Sequence, residues 1–380
     1  MRPKKIYTIA ITVIITATLS LMTASAFYNG KLFLKPGGDA RLNSVISVLD
    51  EYYYEDYNKD KAYDAALKGY VKSLGDPYTE YMTAKELAEF NELINSSYCG
   101  IGVTVQNNAE DNTLLIIDVF ENSPASNAGI QAGDIITKVE GVAYKGEQLE
   151  EATNNIQGEE GTDVNITILK KSTGKEVDLI ITRKSITVDS VTSEILEDTV
   201  GYMSISQFAT NTALEFTEQL EELLEKNITG LIIDVRDNGG GITTAVEAVA
   251  DCILPKGDVI YYTADKHDNK KYVKSKIDGV DIPVVILANE NSASASEILV
   301  GAVKDNKRGV IVGKKTYGKG VVQQLITLTD NTAVKVTVEK YFTPKGNYIH
   351  EKGIEPDYVV ELDGTTDTQL EKALEILKNN

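Results

Sequence analysis

The chain has 380 residues, enough for two or three domains, and its 42% apolar content with 8 prolines is typical of a folded protein. A net charge of −19 without a basic stripe argues against nucleic acid as a partner, because the phosphate backbone would be repelled. Two histidines and two cysteines argue against a histidine triad, a histidine-rich zinc site and a disulfide framework.

Residues 1–30 open with three basic residues and continue as an uncharged run over 6–28. That run is long enough for a membrane-spanning helix, and its basic flank predicts a cytoplasmic N-terminus. The small residues at 24–26 offer a cleavage pattern, so a removed signal peptide is the alternative to an uncleaved anchor, which the length of the run favours. We therefore expect a single-pass cell-membrane protein whose folded part is extracytoplasmic, or a secreted one if the segment is cleaved.

Residues 39–97 have the apolar spacing of helices, with breaks at the tyrosine-rich 52–57 and at Gly75-Asp76-Pro77. The pattern predicts helices from about residue 42, over 62–74 and over 83–94. We interpret the segment as an N-terminal helical region. Its helices and a C-terminal helix over 368–377 are candidate contacts of a homodimer.

Residues 98–183 change to short strands and glycine turns. The predicted order is strand, strand, short helix, strand, helix and two strands. The first strand opens at 100–103, and the other elements lie over 114–120, 123–130, 133–141, 148–156 and both sides of the turn at 172–175. This order and the phrases GIGV and SPASNAGIQAGDIITKVEG resemble a PDZ domain. Such domains add a peptide as a strand and hold its terminal carboxylate on loop N–H groups. The resemblance assigns that role to Gly100, Ile101 and Gly102.

Residues 184–380 alternate strands and helices, which predicts a mixed α/β core. The run over 230–235 is almost entirely apolar, as in parallel strands buried on both faces. The loop over 236–241, which contains Gly239, Gly240 and Gly241, follows this strand at its carboxyl end, where α/β sites lie.

The stretch NENSASASEI, residues 289–298, lies where a buried strand over 283–288 turns into a helix. Free N–H groups and the positive end of the helix dipole meet there, so a serine could act as a nucleophile. The N–H groups of Ala295 and Gly240 are the candidate oxyanion donors. The alternative is structural, since Ser294 and Glu297 have the spacing of a capping box.

The segment 313–320 satisfies the GxxxxGK pattern of a phosphate-binding loop. However, Gly320 stands where serine or threonine must follow, and 321–329 reads as a strand paired with 333–342, so we reject nucleotide binding. Lys319 is then a candidate general base, because a Ser–Lys pair needs no histidine if burial lowers the pKa of the lysine. Gln323, four residues further along an extended segment, faces the same side and can orient the amine.

Together, NENSASASEI, TYGKGVVQ, LIIDVRDNGGG, the PDZ-like segment and GDPYTEYMT resemble the carboxyl-terminal processing peptidases, or tail-specific proteases. The resemblance implies a crotonase/ClpP-like α/β core with an inserted PDZ domain that gates the active site. It also implies that Ser294 is the nucleophile, Lys319 the base and Gln323 its orienting residue. The sequence departs from that family at Gly239, where proline is usual, and at Asn291, where glycine is frequent. We expect Gly239 to loosen the oxyanion loop.

We therefore predict a serine endopeptidase with a Ser–Lys dyad, needing no metal or cofactor, that captures apolar C-terminal tails and cleaves extracytoplasmic proteins near their C-termini. The alternative is an inactive PDZ scaffold, which would have no need of the three candidate catalytic residues. The sequence leaves open the substrate, the oligomeric state and whether the PDZ domain activates or represses.

Overall fold

The computed structural model describes residues 38–364 and 366–379. Nine α-helices lie in these residues: α1 Gly38–Tyr52, α2 Lys59–Lys72, α3 Ala84–Ile94, α4 Pro124–Asn127, α5 Leu149–Ile156, α6 Thr212–Glu225, α7 Thr243–Ile253, α8 Ala295–Asp305 and α9 Thr368–Lys378. None of the helices described here is long and apolar enough to cross a membrane, and the predicted anchor or signal over 1–30 lies outside the described residues.

The same part of the chain contains nineteen strands: β1 Glu80–Met82, β2 Ser97–Gly100, β3 Val103–Asn108, β4 Thr113–Val119, β5 Ile135–Val139, β6 Val142–Ala143, β7 Asp163–Leu169, β8 Glu176–Thr182, β9 Lys184–Thr187, β10 Val191–Leu196, β11 Val200–Ile205, β12 Gly230–Asp234, β13 Val259–Asp265, β14 Lys270–Lys274, β15 Val284–Ala288, β16 Gly309–Gly313, β17 Val321–Thr327, β18 Ala333–Phe342 and β19 Tyr358–Val359.

The chain divides into two compact units, with the division between Ala65 and Ala66. In the first unit, the Asp50 carboxylate accepts hydrogen bonds from the Tyr57 hydroxyl and the Lys59 amine, both at 2.8 Å. These two bonds lie at an exposed surface, so they add little to stability.

The predicted helices over 39–97 are present, and the break between the second and third of them contains a short strand, β1, that was not predicted. Glu80–Met82 is extended because it pairs antiparallel with β18, with Glu80 opposite Lys335. Three residues carry no recognisable period, so only the partner strand defines this element. Because β1 pairs with β18, the turn that precedes β1 lies next to the sheet that contains β18.

The PDZ-like segment forms its own antiparallel sheet, with strands in the order β3-β4-β5-β7-β8 and β6 beside β5. The predicted strands and both predicted helices of this segment are present, except that the first strand begins at Val103 rather than at Gly100, and β2 and β9 pair with each other at the ends of the segment. Alternate residues of β4 and β7, such as Leu114, Ile116, Ile166 and Ile168, are fully buried in a separate hydrophobic core. This segment therefore has a core of its own.

The main core is a six-stranded sheet in the order β10-β11-β12-β15-β16-β19, parallel except for β10. All residues of β12 and β15 are buried, as the apolar runs predict for strands covered on both faces. On one face, Ile233 and Ile286 share a core with helices α6, α7 and α8; on the other, Ile232 and Val285 share a core with α9. The carboxyl ends of β12 and β15 therefore lie side by side.

A second, antiparallel sheet follows the order β1-β18-β13-β14, with β17 also paired to β18. The hairpin predicted across 330–331 is confirmed as β17 and β18, and β14 is an additional strand. Because β17 is a strand, the segment after Lys319 is not the helix that a phosphate-binding loop requires.

Candidate active site

Ser294 lies at the junction between the buried strand β15 and the helix α8, directly before the first helical residue. Its backbone has φ 55° and ψ −113°, a conformation that costs a non-glycine residue about 1–3 kcal/mol. Within the described chain its hydroxyl makes no capping hydrogen bond. A strained serine with an unused hydroxyl at a helix N-terminus fits a nucleophile better than a helix cap.

Glu297 takes part in only half of the predicted capping box and has a wider role. Its carboxylate is buried, with 1% of the residue exposed, and accepts four hydrogen bonds. Oε2 accepts from the N–H groups of Ser294 at 3.0 Å and Lys319 at 2.8 Å, while Oε1 accepts from Thr316 Oγ1 at 2.6 Å and Gly318 N at 2.7 Å. The backbone nitrogens of Ser294 and Lys319 thus lie at most about 5.8 Å apart, the sum of the two Oε2 distances.

Lys319 is bonded to this carboxylate through its backbone N–H and lies two residues before strand β17 of the second sheet. Burial lowers the pKa of its amine, and the nearby positive charge of Lys335 lowers it further. The Nζ atom lies 4.8 Å from the centre of the Tyr78 ring. The environment therefore favours the neutral amine that the sequence-based argument required of a base.

Gly240 packs directly against the serine. A Cβ at this position would lie 2.7 Å from Ser294 Cβ, 2.7 Å from Ala293 O and 3.0 Å from Ala295 N, and the residue has φ +105°. Its own N–H donates to Asn238 Oδ1 at 2.8 Å. Gly240 therefore leaves space in front of the Ala295 N–H, but its own N–H must exchange an existing hydrogen bond to serve as an oxyanion donor.

Asn238 is fully buried and joins the glycine loop to the serine loop. Besides holding Gly240, it donates from Nδ2 to Ile205 O at 2.8 Å and accepts at its carbonyl from Ser296 Oγ at 2.9 Å. Ser292 is also buried, and its hydroxyl donates to Val235 O at 2.7 Å. The two serines that flank Ser294 thus hold the loops in place.

The two departures from the family pattern have different structural settings. Asn291 donates from Nδ2 to Asp237 Oδ1 at 2.7 Å, so it adds a link between the serine loop and the glycine loop. A Cβ added at Gly239 would have no atom within 4 Å, and the residue lacks a positive φ. Asn291 thus adds an exposed link between the two loops, and the backbone at Gly239 has room for a side chain.

A cavity of about 590 Å³ brings the predicted catalytic residues together. Ser294, Lys319, Gln323 and Gly240 line it, along with apolar side chains that include Ile298. Lys319 and Gln323 line the same cavity, although β17 begins only at Val321 and its pairing with β18 is irregular beside Gln323, where the extra residue, Val338, lies on β18. The cavity can therefore hold an extended apolar segment against the serine.

The PDZ-like segment has a small groove between β3 and α5, lined by Tyr98, Ile101, Gly102, Val103, Val105, Thr153, Ile156 and Gln157. Gly102 has φ +81°, and a Cβ there would lie 2.3 Å from Ser123 Cβ, so only glycine fits. Gly100 lies beside the groove, where a Cβ would meet the Tyr98 ring at 3.0 Å. The structure thus places two of the predicted carboxylate-binding residues in the groove and the third next to it.

Sequence reasoning missed three contributors to the site. Asn238 and the wider role of Glu297 lie within phrases that were recognised, but their contacts come from loops far apart in sequence. Tyr78, from the GDPYTEYMT phrase, was assigned no role, although it contacts Lys319. Only the pairing of β1 with β18 could have revealed it.

Three family models match this chain. Residues 199–360 match peptidase family S41, residues 99–181 match the PDZ domain, and residues 32–86 match the N-terminal domain of the activating protease CtpB. These matches define a serine peptidase that carries a peptide-binding domain.

Similar proteins place the chain more closely. It is 34% identical to the carboxy-terminal processing protease CtpA of Bacillus subtilis (strain 168), covering 94% of this chain and 77% of the relative. A probable CtpA-like serine protease of Staphylococcus aureus (strain MRSA252) is also 34% identical, covering 97% and 73%. Among solved structures, a photosystem II D1 C-terminal processing protease aligns with a TM-score of 0.51 at 28% identity, covering 87% and 90%. The chain belongs to the carboxy-terminal processing protease family, and it is a serine endopeptidase of the C-terminal processing type.

Proposed function

We propose that this peptidase works through a Ser–Lys dyad. The Ser294 hydroxyl attacks the peptide carbonyl and forms the Oγ–C bond while its proton passes to Lys319 Nζ. The resulting ammonium returns that proton to the leaving amine as the C–N bond breaks. Water then attacks the acyl carbonyl while Lys319 takes its proton. The Oγ–C bond breaks, the proton returns from Lys319 to Ser294 Oγ, and the new C-terminal acid leaves. Gln323 orients the lysine amine, and no metal or cofactor takes part in these steps.

The observation that carries this proposal is the shared carboxylate of Glu297. It binds the backbone of Ser294 and of Lys319 through one oxygen atom, and both residues line the same cavity. Partial burial of Lys319 supports a neutral amine, and the strained Ser294 backbone supports a dedicated nucleophile.

The oxyanion is assigned to Ala295 and Gly240. The Ala295 N–H is the first of helix α8, where the dipole favours negative charge. The Gly240 N–H joins it when a substrate oxygen displaces Asn238 Oδ1 as its acceptor. Such a displacement would make the site complete only with substrate bound.

The PDZ domain is proposed to capture the free carboxylate of an apolar C-terminal tail at Gly100, Ile101 and Gly102. The groove beside Gly102 supports this, because its lining is largely apolar. The core is proposed to have the crotonase/ClpP-like form, on the parallel order β11-β12-β15-β16. The folded part is proposed to be extracytoplasmic and membrane-anchored, on the uncharged run over 6–28.

The test is cleavage of a peptide that ends in small apolar residues by wild type, Ser294→Ala and Lys319→Ala. We expect both variants to lose at least about 10³-fold in kcat, since nucleophile and base act as one unit. Ser292→Ala, which changes a neighbouring serine of the same loop, is the control. Its unfolding temperature and activity show how much of any loss comes from disturbing the loop. Full activity of Lys319→Ala would overturn the dyad and leave the enzyme class intact.

A further inference from the structure

The turn over residues 76–79 lies directly before β1 and is bonded to β18 through side chains. The Asp76 carboxylate accepts hydrogen bonds from Tyr78 N at 3.0 Å and from the Thr79 hydroxyl at 2.5 Å. Thr79 is buried, and its hydroxyl oxygen accepts from the Thr337 N–H at 3.0 Å. The turn is therefore held at a defined place on the sheet that carries Gln323.

Thr337 lies opposite Gln323 in the pairing of β17 with β18. Gln323 Nε2 lies 3.5 Å from Thr337 Oγ1, within donating distance. Burial acts to raise the pKa of Asp76, but hydrogen bonds from the Thr79 hydroxyl, the Tyr78 N–H and the Thr337 hydroxyl outweigh it and lower that pKa. Asp76 is therefore ionised at neutral pH.

An ionised carboxylate has acceptors only, whereas a hydroxyl has one proton and two lone pairs. The proton of the Thr79 hydroxyl goes to Asp76, which leaves the lone pairs of Thr79 Oγ1 for the Thr337 N–H and so holds Thr337 in place. The Thr337 hydroxyl oxygen in turn accepts from Gln323 Nε2, so the glutamine presents its NH₂ group to Thr337. Its carbonyl oxygen is then left for the other side of the amide, within the cavity that Lys319 also lines.

We propose that Asp76 and Thr337 are positioning residues that fix the amide orientation of Gln323. The proposal rests on the proposed role of Gln323 toward Lys319. A carbonyl oxygen accepts an N–H of the lysine amine and leaves the lone pair free for the proton of Ser294. A flipped amide would donate into that lone pair and block the base.

The same turn also contacts the lysine. The Tyr78 ring lies 4.8 Å from Lys319 Nζ, close enough to attract the ammonium that forms when the serine loses its proton. One short turn therefore reaches both the base and the residue that orients it.

The first test compares Thr337→Val with Thr337→Ser. Valine keeps the shape of threonine and removes the hydroxyl, so kcat should fall roughly tenfold with KM unchanged, as for loss of one hydrogen bond. Serine keeps the hydroxyl and should restore kcat to within about twofold. Wild-type kcat in Thr337→Val, or an equal loss in both variants, would overturn the proposal.

The second test compares Asp76→Asn with a matched control. Like Asp76, Asp330 accepts hydrogen bonds from a backbone N–H and a threonine hydroxyl just after it, here Thr332 N at 3.2 Å and Thr332 Oγ1 at 2.6 Å, but it lies in the turn between β17 and β18. Asp76→Asn should lower kcat as Thr337→Val does, whereas Asp330→Asn should leave kcat unchanged. Equal effects of the two substitutions would overturn the proposal.

A double-mutant cycle separates this proposal from the proposed function. If Thr337 acts through Gln323, then Thr337→Val should have no further effect on kcat in a Gln323→Ala background. Additive losses would overturn the positioning role while leaving the role of Gln323 intact. Unimpaired kcat in Gln323→Ala itself would instead contradict the proposed function of Gln323, and the positioning role with it.

Discussion

Alanine substitutions at Gly239 and Gly240 should have opposite outcomes, although the two glycines are neighbours. At Gly240 a Cβ would meet Ser294 Cβ and Ala293 O at 2.7 Å, closer than carbon atoms approach, and alanine would be strained at φ +105°. The strain costs about 1–3 kcal/mol of folding free energy. Relief of the contact must displace the serine loop, and a misplacement of about 1 Å costs about 100-fold in rate.

At Gly239 the same methyl group meets nothing within 4 Å, and the backbone lacks a positive φ. Gly239→Ala should keep its activity and gain about 0.4–1 kcal/mol of stability, because alanine restricts the unfolded chain. Both variants would be measured by peptide cleavage and by thermal unfolding.

Two results would refute this reasoning. Wild-type kcat in Gly240→Ala would mean that the close approach to Ser294 has no bearing on the reaction. A large loss of kcat in Gly239→Ala, with unchanged thermal stability, would mean that the freedom of the loop governs activity. That second result would support the expectation that Gly239 loosens the oxyanion loop.

Three further predictions concern charge at the two binding sites. In Lys335→Met the pKa of Lys319 should rise because a nearby positive charge is removed, so the rise of kcat/KM with pH should occur at higher pH. Lys340→Met, which removes an exposed lysine, should leave the pH profile unchanged. An unchanged profile in Lys335→Met would contradict an effect of Lys335 on the pKa of Lys319. Glu297→Gln should lower kcat at least about tenfold, because an amide NH₂ cannot accept the N–H hydrogen bonds that the carboxylate accepts. Wild-type kcat in this variant would mean that Glu297 acts only as a helix cap. A peptide with an amidated C-terminus should be cut with lower kcat/KM than the free acid, and equal values would contradict carboxylate capture.

The pKa shift of Lys319 also predicts how stability depends on pH. Burial lowers the pKa of this amine in the folded protein, so the folded state binds its proton less tightly than the unfolded state. The buried amine therefore destabilises the folded protein, and this effect is fully present below the pKa of Lys319 in the folded state. The effect disappears as the pH rises toward 10.5, the ordinary pKa of the lysine amine. Lys319→Met should therefore raise the unfolding temperature at pH 7, and the difference from wild type should shrink at high pH. An unchanged or lowered unfolding temperature would contradict the idea that the buried amine of Lys319 destabilises the folded protein.

Most elements of the core and the PDZ domain could be predicted because their periods are local properties. The all-apolar strands β12 and β15, the helix Thr243–Ile253 and the hairpin of β17 with β18 follow from hydrophobic spacing and turn residues. The candidate serine and lysine were also recognisable, since each lies in a short phrase between predictable elements.

Tertiary structure alone decided how those phrases act on one another. The Glu297 carboxylate bonds to Lys319, and the turn at Asp76 reaches Gln323 through Thr337 on another strand. These contacts join residues 14 to 258 positions apart, and no local period encodes them. Amino-acid order determined the elements and the reactive groups, because each depends on its neighbours along the chain. The orientation of those groups depends on which strands pair, and only the folded sheet specifies that.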